Sequence, residues 1–215
     1  MNNEIIIEVN EVFKKYDDAT VLDNVSLEIE KGKIYGLVGR NGSGKTVLMK
    51  CICGLIKPTS GELKVAGKTV GKDVDIPEDI GVIIETPGFI PNYSGFKNLK
   101  LLASVRNKIS NEEIRKSMEI VGLEPKSRKH VGKYSLGMRQ KLGIAQAIME
   151  KPKILILDEP MNGLDNESVA VVRKILKEQA ENGATIILAS HNREDIDVLC
   201  DKVYTMDHGV IECER

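Results

Sequence analysis

Eight residues, Gly39-Arg40-Asn41-Gly42-Ser43-Gly44-Lys45-Thr46, lie between a short apolar run and an apparent helix. Gly39, Gly44, Lys45 and Thr46 fill a G-x-x-x-x-G-K-T frame, the spacing of a loop that wraps phosphate. Glycine lets the chain wind so that backbone N–H groups of Asn41, Gly42, Ser43 and Gly44 turn toward phosphate oxygens. A helix opening near Lys45 aims its positive end at the same place. The Lys45 ammonium is then expected on the β- and γ-phosphates and the Thr46 hydroxyl on Mg²⁺. Much later a second apolar run, Ile154-Leu155-Ile156-Leu157, ends in Asp158 and Glu159. Such a buried strand releases its last side chains at the carboxyl edge of a sheet, where ligands collect. Asp158 is placed to join the metal shell. Glu159 is placed to orient or deprotonate a water, a task that needs a carboxylate. Two acids at a strand end are commonly no more than solvated, but beside a phosphate loop they complete a triphosphate-hydrolysing site.

The elements that must carry these groups can be read from periodicity. Segments 4–9 and 25–29 read as strands of an antiparallel sheet, and 34–38 as a buried strand feeding the glycine loop. The spacing predicts a helix over 45–53, closed by Gly54, with Pro58 beyond it. A hairpin is expected over 62–66 and 69–70 around Gly67-Lys68, then a strand over 80–84 ending at Glu85. From about 94 to 150 the period is helical: Ser110 and Glu113 form a capping box, Gly122 is a stop, and Ser135 caps a helix running through Met149. The α/β pattern then resumes with the strand ending at Asp158, a helix over 166–181, a strand over 184–189 and a hairpin around Asp207-His208-Gly209. Strands alternating with helices predict an α/β fold: a mostly parallel sheet core, an N-terminal antiparallel β subdomain and an inserted α-helical lobe. The chain is expected to form one domain, with its core in 1–86 and 152–215 and the helical subdomain in 87–151.

Bulk properties narrow the function classes. The chain has 215 residues, 41% of them hydrophobic, and a net charge of −1 with acids and bases interspersed, which gives no electrostatic footprint for nucleic acid. Its apolar runs are strand-sized, well below the roughly 20 residues of a membrane span, and residues 1–12 lack the layout of a secretory signal. The four cysteines, Cys51, Cys53, Cys200 and Cys213, have neither zinc nor disulfide-framework spacing and are expected as buried or half-buried thiols of a soluble, cytoplasmic protein.

Taken in order, the glycine loop, Glu85, the helical stretch, Ser135-Leu136-Gly137, Asp158-Glu159, Leu164-Asp165 and His191 resemble the nucleotide-binding subunits of ABC transporters over essentially the whole chain. The resemblance implies a P-loop NTPase of the ABC ATPase type that uses ATP and Mg²⁺. It further implies two copies closing head to tail around two ATPs, and a separate transmembrane permease subunit that holds the chain on the inner face of the cell membrane. In that family an aromatic residue upstream of the loop stacks on adenine, and Tyr16 holds that place; alone it would be an exposed strand-end tyrosine. The family signature stands here as Tyr134-Ser135-Leu136-Gly137-Met138. Ser135 and Gly137 keep the positions that grip the γ-phosphate of the opposite subunit's ATP, while Leu136 and Met138 depart from the pattern. Read alone, Ser135 would be an ordinary helix cap. His191 follows the strand where the family places a histidine that contacts γ-phosphate and water. Leu164-Asp165 resembles the loop that senses the other subunit's site, while His130 and His208 have no such context.

Glu85 stands where most of the family has glutamine, and would add a third acid near Mg²⁺. With the altered signature it resembles the bacitracin-resistance and lantibiotic-immunity exporters. Two readings follow: an ATP-hydrolysing subunit of a bacterial exporter of antimicrobial peptides, or an ATP-dependent dimerisation clamp with little turnover. A soluble motor on DNA or ribosomes would need coiled-coil insertions or a second cassette. The final hairpin, with no closing helix after it, fits a shortened form of a longer subunit.

Overall fold

The computed structural model describes residues 4–214. A long hairpin opens the chain: β1 (Ile5–Tyr16) and β2 (Ala19–Glu30) pair antiparallel, with Ile7 opposite Ile29, Val9 opposite Leu27 and Val12 opposite Val25. These inward residues are all buried, whereas Asn10, Asn24, Ser26 and Glu28 beside them are exposed. Both strands exceed the expected segments because the mostly polar run from Asn10 to Tyr16 keeps pairing with β2 and, as far as Phe13, also with β4 (Ser60–Val65). Charged side chains do not end a strand whose other face is wet. Asp17 makes the tight connection at a φ of 49°, which a short polar side chain tolerates.

After β3 (Ile34–Val38) and α1 (Lys45–Ile52), β4 turns into β5 (Lys68–Thr69) through Ala66-Gly67, one residue earlier than the spacing predicts. Both turn residues have positive φ, 50° and 76°, as a type I′ connection requires. The first sheet runs β2-β1-β4-β5. Next comes β6 (Ile80–Ile83). The helical stretch resolves into three separate helices: α2 (Gly95–Arg106), α3 (Asn111–Ile120) and α4 (Leu136–Ile148). Ser110 and Glu113 form the reciprocal capping box, and Gly122 ends α3 at a φ of 74°. The core resumes with β7 (Ile154–Asp158), α5 (Asn166–Glu181), β8 (Thr185–Ala189), α6 (Arg193–Leu199), β9 (Lys202–Asp207) and β10 (Val210–Cys213). Helix α6 is not among the expected elements, since only Ile196 and Leu199 mark its apolar face.

The second sheet runs β10-β9-β3-β8-β7-β6, parallel except for the β9–β10 hairpin. Its central strands are apolar throughout because both faces are covered. Leu155 and Leu157 of β7, with Ile186 and Leu188 of β8, pack into a core shared with α2–α5. Ile154, Ile156, Ile187 and Ala189 point the other way, into a core with α1 and the first sheet. Four strands, β3, β6, β7 and β8, therefore end together, and Gly39, Glu85, Asp158-Glu159 and Ser190-His191 emerge at that edge. Among the described residues no helix is long and apolar enough to cross a membrane.

Candidate active site

The glycines of the loop are required for different reasons. A Cβ at Gly39 (φ 151°) would lie 2.1 Å from the Met206 carbonyl oxygen, and one at Gly44 (φ 110°) would lie 2.7 Å from that of Val21. Gly42 (φ 81°) has open space around it, so only its backbone conformation asks for glycine. Among the described α-helices, α1 alone has no side chain capping its N-terminus: Ser94, Ser110, Ser135, Asp165 and Asn192 cap the others. The positive end of α1 is thus left for an anion.

Lys45 is 8% exposed. Its Nζ donates to the carbonyl oxygens of Gly39 (2.7 Å) and Arg40 (2.9 Å). Burial pushes its pKa below the ordinary lysine value, opposed by the charges of Asp158 and Glu159. The Thr46 hydroxyl donates to Asp158 Oδ2 at 2.7 Å, bringing the two halves of the sequence motif into contact. A hydroxyl and a carboxylate are hard oxygen donors of the kind Mg²⁺ takes alongside phosphate and water, so this pair fits the expected metal. Glu85 is parted from the other two acids. Its carboxylate lies 2.5 Å from Lys50 Nζ, and no three acidic, histidine or cysteine side chains among the described residues converge as a metal cluster.

Glu159 is held from three sides. Its backbone has a φ of 49°, a conformation that L-residues occupy only at a cost. Its N–H donates to Ala189 O on β8 (2.9 Å), and its carbonyl oxygen accepts from Gln140 Nε2 on α4 (3.2 Å). Its carboxylate Oε2 sits 2.8 Å from His191 Nδ1. A cleft of about 540 Å³ joins these groups, lined by the loop from Asn41 to Val47, Lys50, Glu85, Leu136, Arg139, Gln140, Asp158, Glu159 and Asn162.

The other expected residues lie at its margins. His191 and Gly39 line a neighbouring cavity of about 400 Å³, joined to the first through the Glu159–His191 contact. Tyr16 ends β1, half-exposed, with Lys14 Nζ 4.7 Å from its ring centre, and does not line the cleft; Val21 of the same hairpin does. Ser135 Oγ accepts from Met138 N (3.2 Å), capping α4. A Cβ on Gly137 would come 2.9 Å from Gly163 O, so the signature turn packs closely on the loop before α5. Asp165 caps α5 through Ser168, whose hydrogen bonds hold the carboxyl below the usual range. The cysteines follow expectation at Cys51 and Cys53, both buried, and at half-buried Cys200, whereas Cys213 is exposed because β10 is an edge strand.

Sequence reasoning passes over Lys50, Arg139, Asn162 and Gln140. Gln140 has a visible signal, a neutral amide leading a run of residues that the helix buries.

A family model described as ABC transporter matches residues 22–162, and the chain belongs to that family. It is the ATP-binding, ATP-hydrolysing subunit type. An ABC transporter ATP-binding protein of Bacillus subtilis, YybJ, itself uncharacterised, is 48% identical over 96% of this chain and 95% of its own length. The bacitracin transport ATP-binding protein BcrA of Enterococcus faecalis is 43% identical over 96% of this chain and 68% of its own. The lantibiotic transport ATP-binding protein SrtF of Streptococcus pyogenes is 36% identical over 98% and 90%. Among solved structures, an ATP-binding subunit of an ABC transporter superposes with a TM-score of 0.87 at 26% identity, covering 97% of this chain and 90% of that one. The dimeric, post-hydrolysis cassette MJ0796 bound to ADP and Pi gives 0.87 at 22% identity over 98% and 99%. These likenesses establish the ABC ATPase fold and agree with the branch to which Glu85 and the altered signature point.

Proposed function

We propose that this chain hydrolyses ATP to power export of antimicrobial peptides by a separate membrane permease, docked on the cytoplasmic side as an ATP-sandwiched pair. The names of the bacitracin and lantibiotic relatives support the substrate class. The domain division read from the sequence belongs to this proposal: a core of 1–86 and 152–215 that carries the hydrolytic groups, and a helical subdomain of 87–151 that presents Ser135 and Gly137 to the other copy.

The observation that carries the reading is the separation of duties between adjacent acids. Asp158 faces the Thr46 hydroxyl, whereas Glu159 faces His191. Thr46 and Asp158 would hold Mg²⁺, which neutralises charge on the phosphates when bound, and Glu85, lining the same cleft, would have to leave Lys50 to join them. Loop amides from Asn41 to Gly44 and the Lys45 ammonium cradle the phosphates, and Tyr16 offers its ring to adenine. Glu159 takes a proton from water as the water oxygen attacks the γ-phosphorus and the bond to the ADP oxygen breaks. His191 orients that carboxylate and the transferred phosphoryl group.

Glu159→Gln tests the reading. It preserves size and removes the base, so turnover should fall on the order of 10²–10⁴-fold while ATP still binds and the paired form accumulates in gel filtration. Wild-type phosphate release from this variant removes Glu159 from the role of base. If the wild-type protein releases phosphate no faster than Lys45→Ala, with or without permease, the chain is a nucleotide-dependent clamp instead.

A further inference from the structure

We infer that Gln140 is a positioning residue for hydrolysis: it sets the Glu159 carboxylate by holding the backbone of Glu159 and Pro160. The inference rests on Glu159 being the base, as proposed above. Gln140 is 7% exposed, and its Nε2 donates to two consecutive carbonyl oxygens, Glu159 O at 3.2 Å and Pro160 O at 3.0 Å. A side-chain amide carries two N–H donors, and here both point at one peptide segment. That segment leaves β7 through a left-handed residue, Glu159 at φ 49°, and a conformation of this kind persists only where surrounding contacts over-determine it. The Ala189 carbonyl fixes the entry to the residue, and Gln140 fixes its exit. Without the tether from α4, the Glu159 carbonyl keeps, among the described residues, only the Asn162 N–H (3.1 Å), a bond within the same turn that moves with it, and the carboxylate keeps only the exposed imidazole of His191; a misplacement near 1 Å costs on the order of 10²-fold in rate.

The position of Gln140 on α4 adds a consequence. The same helix begins at Leu136, capped by Ser135, the residue that would meet nucleotide on the opposite copy. Any shift of that helix start reaches the backbone of the base through one rigid element.

Gln140→Met keeps the volume and removes both donors. Gln140→Glu keeps the shape and turns a carboxylate toward two carbonyl oxygens. Each is measured for kcat, KM and binding of a fluorescent ATP analogue, after unfolding curves confirm a folded protein. We expect kcat to fall about 10–100-fold with KM and analogue affinity within about twofold. In a Glu159→Gln background, Gln140→Met should cost no further turnover and leave the ATP-held pair intact, because the group it positions is already gone. A kcat within about twofold of wild type in either folded variant overturns the inference, as does an equal further loss in the Glu159→Gln background or a loss of analogue binding. Should Gln140→Met not fold, the same outcomes measured on Gln140→Glu alone decide the matter. A Glu159→Gln protein that still turns over at the wild-type rate defeats the underlying assignment of the base and Gln140's role with it, whereas an inert Glu159→Gln beside a fully active Gln140→Met defeats the positioning role alone.

Discussion

Arg173→Met should cost more stability than any surface ion pair could explain. Arg173 on α5 places Nε and Nη2 at 2.8 and 2.6 Å from Asp195 Oδ1, and Nη1 at 2.8 Å from Glu194 Oε1. The two acids differ in setting: the Glu194 side chain is 67% exposed, and that of Asp195 is 2% exposed. Solvent screens the first pair, which contributes about 0–1 kcal/mol. The second is a buried pair, and removing one partner of such a pair costs about 3–5 kcal/mol because a charge is left without compensation. Ser190 Oγ still donates to Asp195 Oδ2 at 3.3 Å, so the lower end, about 3 kcal/mol, is the expectation. For a domain of this length each kcal/mol moves the melting midpoint by about 2–4 °C, giving a fall of about 6–12 °C. Urea unfolding at neutral pH of wild type, Arg173→Met, Asp195→Asn and the double variant forms the cycle. If the penalty is the stranded carboxylate, Asp195→Asn removes most of it, and the coupling energy should reach about 2 kcal/mol. Costs that simply add within about 0.5 kcal/mol, or a single-variant loss below about 1 kcal/mol, refute the reasoning. The stake is functional as well, because Ser190 Oγ also accepts from Asn192 N (3.1 Å) and so holds the turn around His191.

Thiol chemistry and acid titration supply two more tests. Burial raises the thiols of Cys51 to about 11 and Cys53 to about 12, the latter helped by the charge of Cys51. At pH 8 their reactive thiolate is then about one part in a thousand or less. Iodoacetamide followed by peptide mass spectrometry should modify exposed Cys213 first and reach Cys51 and Cys53 only after denaturation; equal rates would contradict the burial. Glu113 is held below the ordinary glutamate range, first by the Ser110 backbone N–H and next by the Ser110 hydroxyl. Its folded form therefore binds fewer protons than the unfolded chain, so its contribution is present above the unfolded pKa of about 4.3 and is lost as pH falls through the lower folded value. Urea midpoints of Glu113→Gln and wild type should differ at pH 7 and converge in acid, and a difference independent of pH would remove the capping carboxylate as its source.

How far the fold is legible depends on where burial is symmetric. Buried strands such as Ile154–Asp158 declare themselves, because both faces need apolar residues and no other element of that length does. The α5 limits at 166 and 181 are also readable, since Asp165 is a capping side chain placed directly before an amphipathic run. The second half of the opening hairpin is not readable, because residues 10–16 satisfy a strand through backbone pairing to β2 and, as far as Phe13, to β4, while all of their side chains but Val12, Phe13 and Tyr16 look like loop. The site divides in the same way. Lys45, Thr46, Asp158 and Glu159 can be named because their chemistry is in their side chains. Gln140 shows only as an amide leading an apolar run; its role does not show, because it is a contact with main-chain oxygens nineteen and twenty residues on, and no spacing rule records that. Glu85 is recognisable by type, but its pairing with Lys50 arises from a helix and a strand end that only the fold brings together.

Why two adjacent acids can serve different masters follows from one dihedral angle. In an extended strand, consecutive side chains alternate between faces, which alone would send Glu159 away from the cleft that Asp158 enters. Asp158 remains in β7 and meets Thr46. The left-handed turn at Glu159 breaks the alternation, bringing its carboxylate to the cleft edge beside His191 rather than into the opposite core. The conformation costs roughly 1–2 kcal/mol in a residue with a Cβ, against which stand the hydrogen bonds to Ala189, Asn162 and Gln140, each contributing about 0.5–1.5 kcal/mol. The balance is close. A glycine would adopt the turn more readily, but it would bring no carboxylate, so stability and hydrolysis make opposing demands on this position, and the tether from α4 is, among the described residues, the one side-chain bond to the Glu159 backbone that helps the acid occupy it.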